Sequence, residues 1–111
     1  MANKNKAKGS DAERRVTRFL AECGVRSARI PAGSTLDEGD IFVANMNWPA
    51  IQVKDHTRID LAGWVRDVEA QAANANRRNG IVWHKKRGTT NPGEWYVTMT
   101  GQTLVELLEH L

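Results

Sequence analysis

The sequence predicts an α/β protein in which a central mixed five-stranded sheet is flanked by helices, in the order α-β-β-β-α-β-β-α. Three segments place apolar residues at the spacing of helices, and five short segments have the apolar alternation or runs of strands. The 111 residues, 41% of them apolar and 26% charged, are enough to bury one modest core. Each helix must bury an apolar stripe and the sheet an apolar face, which favours helices packed on a central sheet.

The first helix is predicted to begin at Ser10. Residues 1–9 are polar, rich in lysine and asparagine and without periodicity, which is typical of a flexible basic tail, so one domain is expected over residues 10–111. Ser10 and Glu13 have the spacing of a capping box, and Gly24 is a typical helix end. The apolar residues between these ends recur at helical intervals: Ala12, Val16, Phe19, Leu20 and Cys23.

Three strands are predicted to follow this helix. Residues 26–30 form a short strand that Pro31 ends, and residues 40–45 and 50–54 are two further strands. The connecting residues 46–49 contain asparagine and proline, which is typical of a hairpin turn. In such an antiparallel pair, the start of the first strand lies beside the end of the second.

The second half of the chain is predicted to contain two helices and two strands. Residues 61–77 form the longest helix, residues 80–84 and 94–99 are strands, and residues 103–111 are the closing helix. The strand–helix–strand step around residues 61–77 fits a right-handed crossover between parallel strands. The closing helix is expected to turn its leucines inward: Leu104, Leu107, Leu108 and Leu111.

Composition narrows the class of protein. Cys23 is the only cysteine, which excludes an intrachain disulfide framework and a zinc site built on cysteines. No apolar run approaches the roughly 20 residues that cross a bilayer, and no secretory signal pattern is visible, so a cytoplasmic protein is expected.

The net charge of +3 is modest, but the basic residues are clustered along the chain. Clusters of this kind suit a polyanionic partner, because bound cations displace counterions from phosphates. The alternative is that these side chains only solvate the surface. The clustered residues are Lys4, Lys6, Lys8, Arg14, Arg15, Arg18, Arg77, Arg78, Lys85, Lys86 and Arg87.

Polar side chains meet at one edge of the predicted hairpin. Asp40 begins the first strand, and Gln52 and Lys54 share one face near the end of the second. Carboxylate and carboxamide oxygens are hard ligands that suit Mg²⁺. A nearby lysine can stabilise an attacking hydroxide or the charge that develops on a phosphate. This is the local chemistry of a metal-dependent phosphodiesterase.

The spacing of these residues resembles the PD-(D/E)xK nucleases, whose signature is an aspartate and then (D/E)-x-K on the next strand. Here Asp40 is followed by eleven residues and then by Gln52-Val53-Lys54. Within that superfamily the chain is most similar to the Holliday junction resolvases of archaeal and phage type. "KGSDAERRV" resembles their opening helix, "ARIPAGSTLDEGDI" their strand and Gly-Ser loop, and "AIQVKD" their catalytic strand. The resemblance covers roughly residues 8–108.

The resemblance implies a restriction-endonuclease-like fold and a Mg²⁺-dependent endonuclease that cuts four-way DNA junctions, with Mn²⁺ able to substitute. The implied catalytic residues are Glu13, Asp40, Gln52 and Lys54. Metal would be held by Glu13, Asp40, Gln52 and the Val53 carbonyl. Two symmetric cuts imply a homodimer. The resemblance also implies that the protein works in the cytoplasm of a bacterial or phage-infected cell. Together with the basic clusters, it predicts these DNA contacts: Arg14, Arg29, Ser34, Lys85, Lys86 and Arg87.

Gln52 departs from the family, which usually has glutamate at that position. Glutamine offers an oxygen to a metal but no negative charge, so weaker Mg²⁺ binding is expected. Two alternatives follow: a restriction-like or nicking nuclease of the same fold, or a DNA-junction-binding module with weakened catalysis.

Some of these residues also have structural interpretations. Glu13 can serve only the capping box, and Lys54 can be an edge-strand lysine that opposes aggregation. On the long helix, Glu69 and Gln71 can add polar contacts to the site, but a solvated face is expected. Most of the tryptophans are expected in the core.

Overall fold

The structure is a computed structural model and describes residues 4–30, 39–43 and 49–110. The predicted fold class and order of elements are confirmed. The helices are α1 (Lys4–Glu22), α2 (Leu61–Asn74) and α3 (Gly101–Leu108). The strands are β1 (Ser27–Arg29), β2 (Ile41–Val43), β3 (Ala50–Lys54), β4 (Gly80–His84) and β5 (Tyr96–Thr98), and a short 3₁₀ helix spans Pro92–Glu94.

The five strands form one sheet in the order β1-β2-β3-β4-β5. The pairs β1–β2, β2–β3 and β4–β5 are antiparallel, with Ile41 opposite Ile51 in the predicted hairpin. β3 and β4 are parallel, with Gln52 opposite Val82 and Lys54 opposite His84, and α2 connects them. Because both parallel strands end at the same edge, the residues that follow Lys54 and His84 lie close together. The turn predicted at residues 46–49 lies outside the described residues except for Pro49.

Helix α1 begins at Lys4, so the predicted start at Ser10 is wrong, and residues 4–9 are helical rather than a tail without structure. Lysine and alanine are good helix formers, and one interior glycine costs only about 1 kcal/mol, so Gly9 does not interrupt the helix. Ser10 therefore lies inside α1 and is not its cap. That a single domain covers residues 10–111 stays a prediction.

Two of the helices end in the same hydrogen-bonded motif. Gly24 has a φ of 82°, and Val25 donates its N–H to the Leu20 carbonyl at 2.8 Å, as predicted for this end of α1. Asn76, with a φ of 55°, ends α2 in the same way, and Arg77 donates its N–H to the Ala72 carbonyl at 2.8 Å. Asparagine tolerates this left-handed conformation, so α2 stops at Asn74 rather than at the predicted residue 77.

The core lies on both faces of the sheet. Ile51 and Val53 face α1, while Val82 faces α2, which confirms the predicted alternation along β3. The cluster on the α1 side consists of Ala12, Val16, Ile41, Val43, Ile51, Val53, Ile81, Trp83 and Trp95. The cluster on the α2 side consists of Trp64, Val68 and Val82. The three described tryptophans are thus buried as predicted; Trp48 lies outside the described residues.

The predicted inner face of α3 is wrong at two positions. Leu107 packs against the core, but Leu104 and Leu108 are 47% and 54% exposed. The helix is held instead by buried Thr103 and by a 2.8 Å hydrogen bond from Asn79 Nδ2 to Glu106 Oε2. That bond lowers the pKa of the Glu106 carboxyl, because it favours the charged form.

Arg77 has a structural role, although the sequence placed it in a basic cluster. Its guanidinium is buried, donates to the Val43 carbonyl at 3.1 Å and lies 4.2 Å from the centre of the Phe42 ring. It therefore ties the end of α2 to the end of β2. None of the helices in the described part of the chain is long and apolar enough to span a bilayer.

Candidate functional site

Asp40 lies at the seam between β2 and β3, just before β2 begins. Its carboxylate Oδ2 accepts a hydrogen bond from Val53 N–H at 2.8 Å, and its own N–H donates to the Ile51 carbonyl at 2.9 Å. The side chain thus extends the β2–β3 pairing past the Ile41–Ile51 pair. A carboxylate held by a backbone N–H has a fixed orientation, which a ligand or catalytic group needs. Aspartate is disfavoured in strands, and this contact explains its place before β2.

Gly39 allows the chain to reach this position. Its φ of 99° is strained for any other residue, and a Cβ there would lie 3.2 Å from the Ile51 carbonyl oxygen. The backbone at Gly39 therefore approaches Ile51 of β3 more closely than a residue with a Cβ would permit.

Gln52 points to the α2 face of the sheet and is only 7% exposed. Its Oε1 is buried and has no hydrogen-bond partner among the described residues. An unsatisfied buried acceptor costs about 1–3 kcal/mol, which indicates that the oxygen has a partner in the working protein. A hard cation or an ordered water fits such an oxygen.

Lys54 ends β3 on the same face as Gln52 and is half-buried. Its amine has no ion pair or hydrogen bond within the ranges that the structure describes. The structure therefore brings the backbone of Gln52, Val53 and Lys54 alongside Asp40, as predicted from the hairpin register. Val53 takes part through its N–H; a role of its carbonyl as a metal ligand stays a prediction.

Glu13 reaches the same edge of the sheet by way of β1. Its carboxylate accepts from Arg29 Nε at 3.3 Å, and Ile30 N–H donates to the Asp40 carbonyl at 2.9 Å. The capping role of Glu13 is wrong because Ser10 is inside the helix. Glu13 is thus connected to Asp40 through β1. Arg29 pairs with the Glu13 carboxylate, and the next residue, Ile30, donates its N–H to the Asp40 carbonyl.

The ligand set matters for a metal. In the part of the chain that the structure describes, no three histidine, cysteine, aspartate or glutamate side chains are grouped closely enough to hold an ion. A cation at Asp40 would therefore depend on neutral oxygens as well, and the buried Gln52 Oε1 on the adjoining strand is an oxygen of that chemistry. The donors present fit Mg²⁺ better than a soft metal.

Gln71 is a polar residue that sequence reasoning misplaced. It is 5% exposed, and its Oε1 lies 3.6 Å from where a Cβ on Gly39 would be. The expected solvated position is wrong for Gln71 but confirmed for exposed Glu69. The helical spacing indicates this inward position, because Gln71 lies three residues after Val68 on the buried stripe of α2.

His84 is buried on β4, directly opposite Lys54 of β3 in the sheet. Its Nε2 lies 2.7 Å from Thr98 Oγ1, and its ring is 5.8 Å from that of Trp64. Burial lowers the pKa of His84 below its ordinary value. A neutral imidazole next to Lys54 adds no repulsion to the lysine charge.

The predicted DNA contacts are divided between two regions. Arg14 on α1 and Arg29 on β1 are exposed near Glu13, and Lys85, Lys86 and Arg87 follow β4, with Lys85 half-buried. Ser34 lies outside the described residues, so its predicted contact is not described.

Comparison of the chain with family models, with curated proteins and with solved structures finds no significant match in any of the three.

Proposed function

We propose that the protein is a metal-dependent DNA endonuclease that acts on four-way junctions, in the manner of the resolvases that its motifs resemble. The observation that carries this proposal is the 2.8 Å hydrogen bond between Asp40 and Val53, the central residue of Gln52-Val53-Lys54. It puts the carboxylate against the (D/E)-x-K-like strand, where this chemistry requires it. The buried Gln52 oxygen and the Lys54 amine lie on one face of the same strand, and neither has a partner among the described residues.

Each residue has a role in this proposal. Asp40 and Gln52 hold the cation, with Glu13 and the Val53 carbonyl completing its ligands. A bound Mg²⁺ supplies Lewis acidity toward a phosphoryl oxygen. Lys54 orients the attacking water and stabilises the negative charge that develops on the phosphate. His84, kept neutral by burial, leaves that charge on Lys54 undisturbed.

DNA binding is assigned to basic residues on both sides of Asp40. Arg14 and Arg29 lie on one side, and Lys85, Lys86 and Arg87 on the other. Their contacts are with phosphates, so affinity falls steeply as salt increases.

Resolution of a junction requires two cuts, hence a homodimer with two sites. Edge strand β5 and helix α3 leave several apolar side chains exposed, which provides surface for such a contact. Those side chains are Tyr96, Val97, Leu104, Val105 and Leu108. Light scattering after gel filtration tests the dimer directly.

The decisive experiment is cleavage of a labelled four-way junction with Mg²⁺, with Mn²⁺ and with EDTA, beside duplex, flap and single-stranded DNA. We expect symmetric nicks that need metal and disappear in Lys54→Ala, while junction binding is retained. Arg66→Ala, at a cation 80% exposed on α2, is the matched control and should cut normally.

The outcomes separate the rival functions. Equal cutting of duplex and junction would favour a restriction-like or nicking enzyme. A second candidate, a junction-binding module, is favoured by the uncharged Gln52. It predicts binding without cutting by the natural protein, with cutting gained in Gln52→Glu.

A further inference from the structure

A polar pocket opens at the edge where the parallel strands β3 and β4 end. It has a volume of about 230 Å³ and is lined by Lys8 from α1, by Asp55 and His56 after β3, and by Lys85 and Arg87 after β4. We call it the Lys8–Lys85 pocket. Pockets for drug-sized ligands start at about 300 Å³, so this volume suits a single small group rather than a whole cofactor.

The charges in the Lys8–Lys85 pocket are unbalanced. Three cationic side chains line it, Lys8, Lys85 and Arg87, with a single carboxylate, Asp55. Asp55 is only 15% exposed and lies 3.8 Å from both amines, with Oδ1 toward Lys8 and Oδ2 toward Lys85. One carboxylate therefore holds two lysines from distant parts of the chain around one opening, and an excess of positive charge remains.

The position of the pocket relates it to Lys54. Asp55 directly follows Lys54, and Lys85 N–H donates to the Lys54 carbonyl at 2.9 Å. The backbone of Asp55 thus lies about 3.3 Å of strand beyond Lys54, the residue assigned to the cleaved phosphate, and its side chain turns to the α1 side of the sheet, toward Lys8. A DNA strand that places one phosphate at Lys54 carries its neighbouring phosphates past this opening.

We propose that the Lys8–Lys85 pocket binds a phosphate group of the DNA backbone beside the phosphate that is cleaved. This inference rests on the proposed function, since it assigns the substrate to DNA. Lys8 and Lys85 contact the phosphate, and Asp55 positions the two lysines and also opposes the incoming negative charge. Helix α1, whose early start was not expected from the sequence, supplies Lys8 to the site.

The test is DNA binding measured by fluorescence anisotropy in EDTA, with a labelled junction over a range of salt. We expect Lys8→Gln and Lys85→Gln each to lower affinity about threefold to tenfold at low salt. Each should also reduce the slope of log affinity against log salt, by at most about 0.9, the value for one phosphate contact. Asp55→Asn, which keeps the side-chain shape, should raise affinity by about the same factor because it removes the opposing charge.

Arg66→Gln is the matched control, because it removes a positive charge from an exposed side chain of α2 that does not line the pocket. Circular dichroism and thermal melting establish that each variant is folded. If the lysine variants bind like Arg66→Gln and Asp55→Asn binds like the natural protein, the pocket proposal is overturned. Metal-dependent cutting of the junction by the natural protein would then still support the proposed function, with Lys85 removed from its DNA contacts. If the natural protein binds no DNA, both proposals fail.

A second arm separates DNA phosphate from free phosphate. Inorganic phosphate is titrated into labelled protein while the amide signal of Gly88, which lines the pocket, is followed by NMR. We expect millimolar phosphate to shift the Gly88 amide signal only slightly. A short duplex should shift it strongly, and this shift should be lost in Lys85→Gln. Tight saturation by phosphate alone, with unchanged DNA affinity in the variants, would assign the pocket to a free anion and refute the DNA assignment.

Discussion

Gln52→Glu is the substitution that tests most directly what the buried oxygen is for. Gln52 is 7% exposed, and its Oε1 has no hydrogen-bond partner among the described residues. A carboxyl introduced there would have its pKa raised by burial, by about 3 units for a group so enclosed. Each unit corresponds to about 1.4 kcal/mol, so the variant should lose about 4 kcal/mol of stability at high pH without metal.

The sign of the pH dependence follows from that raised pKa. Because the folded variant binds a proton more tightly than the unfolded chain, its stability is retained at about pH 4 and falls as pH increases toward the folded pKa. Mg²⁺ should restore most of the loss, because it pairs with the introduced charge and binds only the folded state. The Mg²⁺-induced rise in stability should therefore be larger for Gln52→Glu than for the natural protein.

Urea unfolding at about pH 5 and about pH 8.5, with EDTA or with millimolar Mg²⁺, measures all of these quantities. Ala70→Glu, which adds a carboxyl at an exposed position on α2, is the control and should change stability little under any condition. Gln52→Met removes the oxygen and should abolish the specific response to Mg²⁺. Equal stability of Gln52→Glu and the natural protein in EDTA at high pH would refute the idea of an enclosed oxygen. An equal Mg²⁺ response would refute the metal site.

Three further outcomes are expected. Asp40→Ala should cost about 1–3 kcal/mol in urea unfolding, because the Val53 N–H loses its acceptor; Asp40→Asn should keep most of that stability, and neither variant should cut DNA. Arg77→Met should destabilise by about 1–3 kcal/mol without weakening DNA binding, because it leaves the Val43 carbonyl unsatisfied; a loss of affinity with unchanged stability would contradict its structural role. Burial lowers the pKa of His84 below 6.5, so its contribution to stability is present above about pH 6.5 and is lost as the pH falls toward the folded pKa. In thermal melts His84→Gln should flatten that decline, whereas a variant at an exposed histidine should not.

The architecture could be predicted because it depends on short-range patterns. The hairpin that sets Asp40 against β3 follows from two apolar strands and the antiparallel pairing that a short connection requires. The end of α1 follows from Gly24, whose preference for a positive φ is local. The placement of Gln52 and Lys54 on one face follows from the period of a strand.

Other features depend on contacts between distant parts of the chain. The sequence does not show that Arg29 pairs with Glu13. It also does not show that Arg77, at the end of α2, is buried and donates to the Val43 carbonyl of β2. An arginine is equally basic on a surface or beneath an aromatic ring, and only the packing decides which. The same holds for Leu104 and Leu108, whose helical spacing matches a buried stripe although the sheet covers only Leu107.

Sequence alone thus determined the α/β order, the hairpin and the position of Asp40 beside β3, because hydrophobic period and strand pairing act over a few residues. Tertiary structure decided that Gln71 turns inward toward Gly39 and that α1 extends to Lys4 and brings Lys8 to Asp55. It also decided that Lys85 joins them from the neighbouring strand. Those contacts join residues far apart along the chain, and their closeness exists only once the helices have packed on the sheet.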